Sequence, residues 1–292
     1  MTDKSGSCRV VTFAPVESLD TYTEEKLEEF FDVVSIDYTD DGFEIYKGYQ
    51  NTSFTEEELR TFIAANNLKL PAYTIELLES ANWLKDYVIQ FAPVEVEDFL
   101  IYGIHEKQAP QTDKLAIRIY AATAFGSEHQ TTKSCLKALS ELNKQNAPHA
   151  RILDVGTGSG ILSLAAAKLW RETTRITAVD IDEEAVIVTR GNAEDNGLEN
   201  FITAGVSNGY QSELVLKNAP YDIIFANILA RPLIEMAPDL AQNLNPGGFC
   251  ILSGFVGDQE DWVIKAHEKQ GLSLVKIYEM DNWRAALMEK KA

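Results

Sequence analysis

Ile152-Leu153-Asp154-Val155-Gly156-Thr157-Gly158-Ser159-Gly160-Ile161-Leu162 decides the fold: an apolar run breaks into three alternating glycines and then turns apolar again. Glycine accepts backbone conformations closed to other residues and lets a ligand approach with no Cβ in the way, and the first turn of a helix offers N–H donors without intrahelical partners. The spacing therefore predicts a strand, a tight loop and a helix, with a ligand carrying polar or anionic groups seated over Gly156 to Gly160. A dinucleotide-binding fingerprint wants Gly or Ala at position 161, where this chain has the bulky Ile161.

Outward from that loop, apolar runs and helical patterns alternate at regular intervals, the sequence form of a parallel sheet covered on both faces. The expected strands are Ile152–Val155, Ile176–Val179, Phe201–Val206, Ile223–Ala226, Phe249–Leu252, Leu274–Tyr278 and Ala285–Met288. The last two are separated only by Glu279 to Arg284, too short for a helical crossover, so that pair is expected to be antiparallel. The expected fold class is thus α/β: a Rossmann-like class I methyltransferase domain, with a seven-stranded sheet and an antiparallel last strand. Dinucleotide dehydrogenases usually keep the sheet parallel. Together with Ile161 this favours S-adenosyl-L-methionine over NAD as the ligand.

Three further positions carry the candidate chemistry. Asp180 stands at the end of the second strand in Val179-Asp180-Ile181-Asp182, where a carboxylate can accept hydrogen bonds from both ribose hydroxyls of a nucleoside. Its replacement by alanine is expected to weaken cofactor binding with little change in stability. Asp182 reads first as the cap of the helix beginning at Glu183. Asp154, inside the first strand, must be buried and satisfied, either holding the loop's N–H groups or reaching toward a ligand ammonium. Asn227 closes the fourth strand in Phe225-Ala226-Asn227-Ile228-Leu229-Ala230, at the edge where doubly wound folds bind ligands. It is read as a turn former or as a carbonyl acceptor that aims an amine lone pair at a methyl group. Ala124-Phe125-Gly126-Ser127-Glu128-His129-Gln130-Thr131-Thr132 reads as a loop before a helix from Lys133 to Asn143, placed so that it can fold over a cofactor.

The front of the chain follows another pattern. Strands are expected at Val10–Phe13, Val33–Tyr38, Phe43–Tyr49 and Ala72–Leu78, with one helix bearing Leu27, Phe30 and Phe31 and another announced by the capping box of Thr55 and Glu58. Strand-helix-strand-strand-helix-strand is the ferredoxin-like α+β order. The expected domains are residues 1–80, an interdomain linker over 81–116, and the catalytic domain over 117–292.

The composition, with 45% hydrophobic and 24% charged residues, is that of a globular protein. The polar N-terminus lacks a basic stretch followed by an apolar run, so the expectation is a cytoplasmic protein with no membrane span. Cys8, Cys135 and Cys250, like His105, His129, His149 and His267, are scattered without metal-ligand spacing, and no metal is expected. The formal charge is −19, and residues 1–110 hold 22 Asp or Glu against 8 Lys or Arg, giving −14. Such a front repels nucleic-acid phosphates and attracts a basic protein.

The chain resembles the bacterial methyltransferases of ribosomal protein L-eleven. The likeness runs through Ala124-Phe125-Gly126, His129, Thr131-Thr132, the glycine loop, Val179-Asp180-Ile181-Asp182, Asn192-Ala193-Glu194 with Asn196-Gly197, and Asn227-Ile228-Leu229-Ala230. The resemblance implies a front domain that recognises the ribosomal protein. It also implies a C-terminal domain that methylates lysine ε-amines and the N-terminal α-amine, with Thr132, Gly156, Gly158, Asp180 and Asn227 on adenosylmethionine and Phe125 in a covering loop. The loop departs from the usual Ala-Phe-Gly-Thr-Gly-x-His-x-Thr-Thr by one missing residue, with Ser127-Glu128 in place of Thr-Gly-x. Three rival readings remain open on the residues alone: a binding module without turnover, an RNA base methyltransferase, which also uses an asparagine near the fourth strand, and an NAD oxidoreductase.

Overall fold

The computed structural model describes residues 8–31, 33–39, 41–50, 54–78, 91–106, 108–120, 130–171 and 173–291. The chain divides into two compact units, Met1–Tyr87 and Val88–Ala292.

In the front unit β1 (Cys8–Phe13), β2 (Val33–Tyr38), β3 (Glu44–Gln50) and β4 (Tyr73–Leu78) form one sheet in the order β2-β3-β1-β4, with every pairing antiparallel. Its core gathers Val11, Phe13, Leu27, Phe31, Tyr46, Phe54 and Leu59. The two helices among the described residues of this unit begin at side-chain caps. Asp20 accepts from Thr23 N at 3.0 Å ahead of Thr21–Phe30. At Glu56–Ala65, Thr55 and Glu58 exchange reciprocal bonds of 2.6 and 3.2 Å, satisfying two N–H groups that the first turn would leave open.

The second unit opens with a three-stranded sheet of β5 (Val94–Val96), β6 (Phe99–Gly103) and β7 (Leu115–Ile119), in which β6 is buried along its whole length. This corrects the expected linker over 81–116. Residues 79–90 lie outside the described residues, but Phe91, Val96, Phe99, Ile101 and Ile117 are part of the second unit's main core. The apolar run over residues 99–104 marks β6 in the sequence itself, whereas the prolines and acidic residues around it leave the short, partly exposed β5 and β7 unmarked.

The large sheet runs β10 (Ile202–Val206), β9 (Arg175–Asp180), β8 (Arg151–Val155), β11 (Tyr221–Asn227), β12 (Leu244–Val256), β14 (Trp283–Lys290), β13 (Leu272–Met280). Neighbours from β10 to β12 are parallel, and β14 is antiparallel to both β12 and β13. Ile152, Leu153, Ile223, Ile224 and Phe225 are fully buried in consecutive positions, as strands covered on both faces require. Among the described residues no helix is long and apolar enough to cross a membrane.

Candidate functional site

β8 has β9 on one side and β11 on the other, so the connections leave it in opposite directions and open a crevice at the carboxyl edge of the sheet. The register pairs Val155 with Val179 and with Ala226. The next residues along the three strands are Gly156, Asp180 and Asn227, so the fold itself brings these three expected site residues to one edge.

The glycine loop is a closed hydrogen-bonded turn. Gly156 and Thr157 both donate their N–H to the Val179 carbonyl at 2.8 and 3.0 Å, and Gly160 donates to the Thr157 carbonyl at 2.8 Å. Gly158 donates to Asp180 Oδ2 at 2.9 Å. All three glycines have positive φ, at 71°, 55° and 79°, a conformation that costs any residue with a Cβ. These amides are therefore occupied by the protein's own acceptors, and the loop offers space more than donors: a Cβ on Gly158 would meet nothing within 4 Å. A pyrophosphate needs free N–H groups and positive potential. With the Asp180 carboxylate at its rim and Asp154 beneath it, this loop suits a cationic ligand such as a sulfonium with a free ammonium.

Asp154 is 2% exposed, and its Oδ2 accepts from the Thr157 hydroxyl at 2.9 Å and the Ser163 hydroxyl at 2.7 Å. Burial pushes its carboxyl up to about 6, against the pull of those two hydroxyl bonds. Asp154 thus braces the loop through the Thr157 and Ser163 hydroxyls, while the loop's N–H groups, its expected partners, go to Val179, Thr157 and Asp180. Asp180, half-buried, accepts from Asp182 N at 3.1 Å as well as from Gly158 N. Its loss would strip two backbone N–H groups of their acceptor, which corrects the expectation that stability would hardly change. Asp182 caps the helix Glu183–Asp195 through Glu184 N at 2.9 Å.

Asn227 is half-buried, and its side-chain amide has no hydrogen bond among the described residues. Its position is fixed through Ile228, whose N–H donates to the Ser253 carbonyl at 3.0 Å. Ile228 is wedged between two glycines: a Cβ on Gly156 would strike its Cγ2 methyl, and one on Gly254 would strike its carbonyl oxygen. Thr132 is buried in the first turn of the helix Gln130–Lys144. Phe125 and His129 lie outside the described residues.

The ribosomal protein L11 methyltransferase (PrmA) family matches this sequence over residues 9–291. The chain belongs to that family. The protein of Rhodopseudomonas palustris named ribosomal protein L11 methyltransferase is 34% identical over 228 residues, covering 78% of this chain and 76% of its own length. The one from Sinorhizobium fredii is 32% identical over 280 residues, covering 90% and 95%. The crystal structure of a ribosomal protein L11 methylase from Lactobacillus delbrueckii subsp. bulgaricus superposes with a TM-score of 0.60 at 26% identity, over 70% of this chain and all of that one.

As a ribosomal protein L11 methyltransferase family member with a class I methyltransferase-like α/β fold, the chain uses S-adenosyl-L-methionine as its methyl donor. The glycine loop, its open face at Gly158 and the Asp180 carboxylate fit that group. Sequence reasoning missed Gly254, although a lone glycine in an apolar run is a signal for a bulge or a close backbone approach. It has φ of 92° and sits where β12 shifts register against β14 between Ser253 and Phe255. Thr157 and Ser163, the partners of Asp154, were also missed. No periodicity marks a hydroxyl that turns onto a buried carboxylate.

Proposed function

We propose that this chain transfers methyl groups from S-adenosyl-L-methionine to lysine ε-amines and/or the N-terminal α-amine of ribosomal protein L11. The observation that carries the reading is the meeting of Gly156, Asp180 and an Asn227 amide unpaired among the described residues at the carboxyl ends of three adjacent strands. The cofactor supplies an electrophilic methyl on a sulfonium leaving group. The nitrogen needs a free lone pair, and deprotonating a lysine of pKa about 10.4 at pH 7 costs roughly 4–5 kcal/mol, against about 1 for an α-amine. Asn227 is the catalytic residue in this reading: its carbonyl accepts a remaining N–H of the amine and orients the lone pair. Thr132, Gly156, Gly158, Asp180 and Asn227 would hold the cofactor, with Asp180 accepting from its ribose hydroxyls.

The front unit, read as a ferredoxin-like domain over 1–80, recognises the substrate, with a seven-stranded catalytic domain behind it. Its surplus of negative charge favours a basic protein over nucleic acid. Incubation with labelled adenosylmethionine and purified ribosomal protein L11 is expected to label the protein at amines. Label in ribosomal RNA, or binding of the cofactor with no transfer to any amine-bearing protein, overturns the assignment.

A further inference from the structure

The sequence pair Asn192 and Asn196, four residues apart on one helix, has a place in the fold that the chemistry above does not use. β7 is an edge strand of its sheet, with alternate backbone groups open on its outer side. Asn196 Oδ1 accepts from Arg118 N at 3.0 Å, and its Nδ2 donates to the Arg118 carbonyl at 2.7 Å. Asn192 does the same two residues along, with Tyr120 N at 2.7 Å and the Tyr120 carbonyl at 3.2 Å. The match is geometric: four residues of helix rise about 6.0 Å and two of strand about 6.6 Å, so two amides on a helix face stand in for a neighbouring strand.

The two asparagines differ in their remaining donor. Asn196 returns to its own helix at the Asn192 carbonyl, 2.8 Å away. Asn192 reaches the Ser159 carbonyl at 2.8 Å, in the glycine loop between Gly158 and Gly160. One turn earlier on the same helix, the Thr189 hydroxyl donates to the Gly158 carbonyl at 2.9 Å. Asn192 is 1% exposed and has both amide hydrogens engaged, so no water can replace it.

We propose that Asn192 is a positioning residue for the cofactor site: it ties the backbone of Tyr120 to the Gly158–Gly160 turn, so that the loop is held open in its ligand-accepting shape. This rests on the reading that the loop seats adenosylmethionine. Asn192→Asp keeps the acceptor for Tyr120 N but sets a carboxylate against two carbonyl oxygens, whereas Asn196→Asp makes the same change at Arg118 without touching the loop.

By calorimetry, Asn192→Asp is expected to bind S-adenosylhomocysteine at least about tenfold more weakly than the native chain, a difference of about 1.4 kcal/mol, and Asn196→Asp within about twofold of it by the same conversion. In turnover, the KM for the methyl donor rises in Asn192→Asp while kcat at saturating donor is retained, a split that mere loss of fold stability does not produce. In the native chain, added S-adenosylhomocysteine is expected to slow hydrogen exchange at the Tyr120 amide together with that of Gly158, and this measurement decides the matter if Asn192→Asp does not fold. Equal weakening in the two variants, native affinity in Asn192→Asp, or a Tyr120 amide that does not respond while Gly158 does, overturns the proposal. A native chain that fails to bind S-adenosylhomocysteine overturns the cofactor reading beneath it.

Discussion

Replacing Gly156 by alanine tests the glycine loop and the Asn227 strand end at once. With φ of 71° at this position, an L-residue costs about 1–2 kcal/mol in backbone strain. The added Cβ also falls on the Cγ2 methyl of Ile228, which is itself backed by Gly254 and cannot retreat freely. Overpacking of this kind adds about 1–3 kcal/mol, while the stiffer unfolded chain returns about 0.4–1 kcal/mol. The net expectation is a loss of about 1–4.5 kcal/mol, a fall of roughly 2–18 °C in Tm for a unit of this size. Thermal and urea unfolding of Gly156→Ala, Ile228→Leu and the double variant separate the two causes. Leucine has no Cγ2 methyl, so the double variant should keep only the strain and show a coupling of about 1–3 kcal/mol. Losses that add within about 0.5 kcal/mol would mean that Ile228 is not the obstacle, and the account of how the loop and Asn227 are held together would fall.

Other outcomes follow from the same geometry. Gly254→Ala should cost more than Gly156→Ala, about 3–5 kcal/mol, because its Cβ meets a backbone carbonyl rather than a side-chain methyl, and a urea-derived loss below about 1 kcal/mol refutes that. Asp154 has a folded pKa raised by burial to about 6 from 3.8, so its contribution favours the fold below about pH 4 and is lost as pH rises through 6, at a cost of about 3 kcal/mol. Asp154→Asn should therefore melt above the native protein at pH 8 and level with it at pH 4; the same gap at both values refutes the burial argument. Asp180→Ala should weaken calorimetric binding of adenosylmethionine by about 1.5–3 kcal/mol and lower stability by about 1–2 kcal/mol, since Gly158 and Asp182 lose their acceptor. Unchanged affinity removes its role on the ribose.

Part of this protein is settled by signals that span a few residues. The glycines at 156, 158 and 160 announce a left-handed backbone that glycine adopts without the steric cost of a Cβ, and all three adopt it. Thr55 with Glu58, and Asp182 ahead of Glu183, announce helix starts because their partners lie within one turn. Apolar runs such as Ile152-Leu153 and Ile223-Ile224-Phe225 announce strands buried on both faces.

What remained to the tertiary structure involves partners far apart in the chain. Ile228 is gripped by Gly156 and Gly254, and Asn192 joins Tyr120, 72 residues before it, to Ser159, 33 residues before it. Burial of Phe91, Phe99 and Ile101 decides that residues expected as linker belong to the second unit. Local propensity acts through neighbouring dihedrals and is written in the sequence itself. Steric exclusion and hydrogen-bond satisfaction act between whatever groups folding brings into contact, and those groups are defined only once the strands have taken their order.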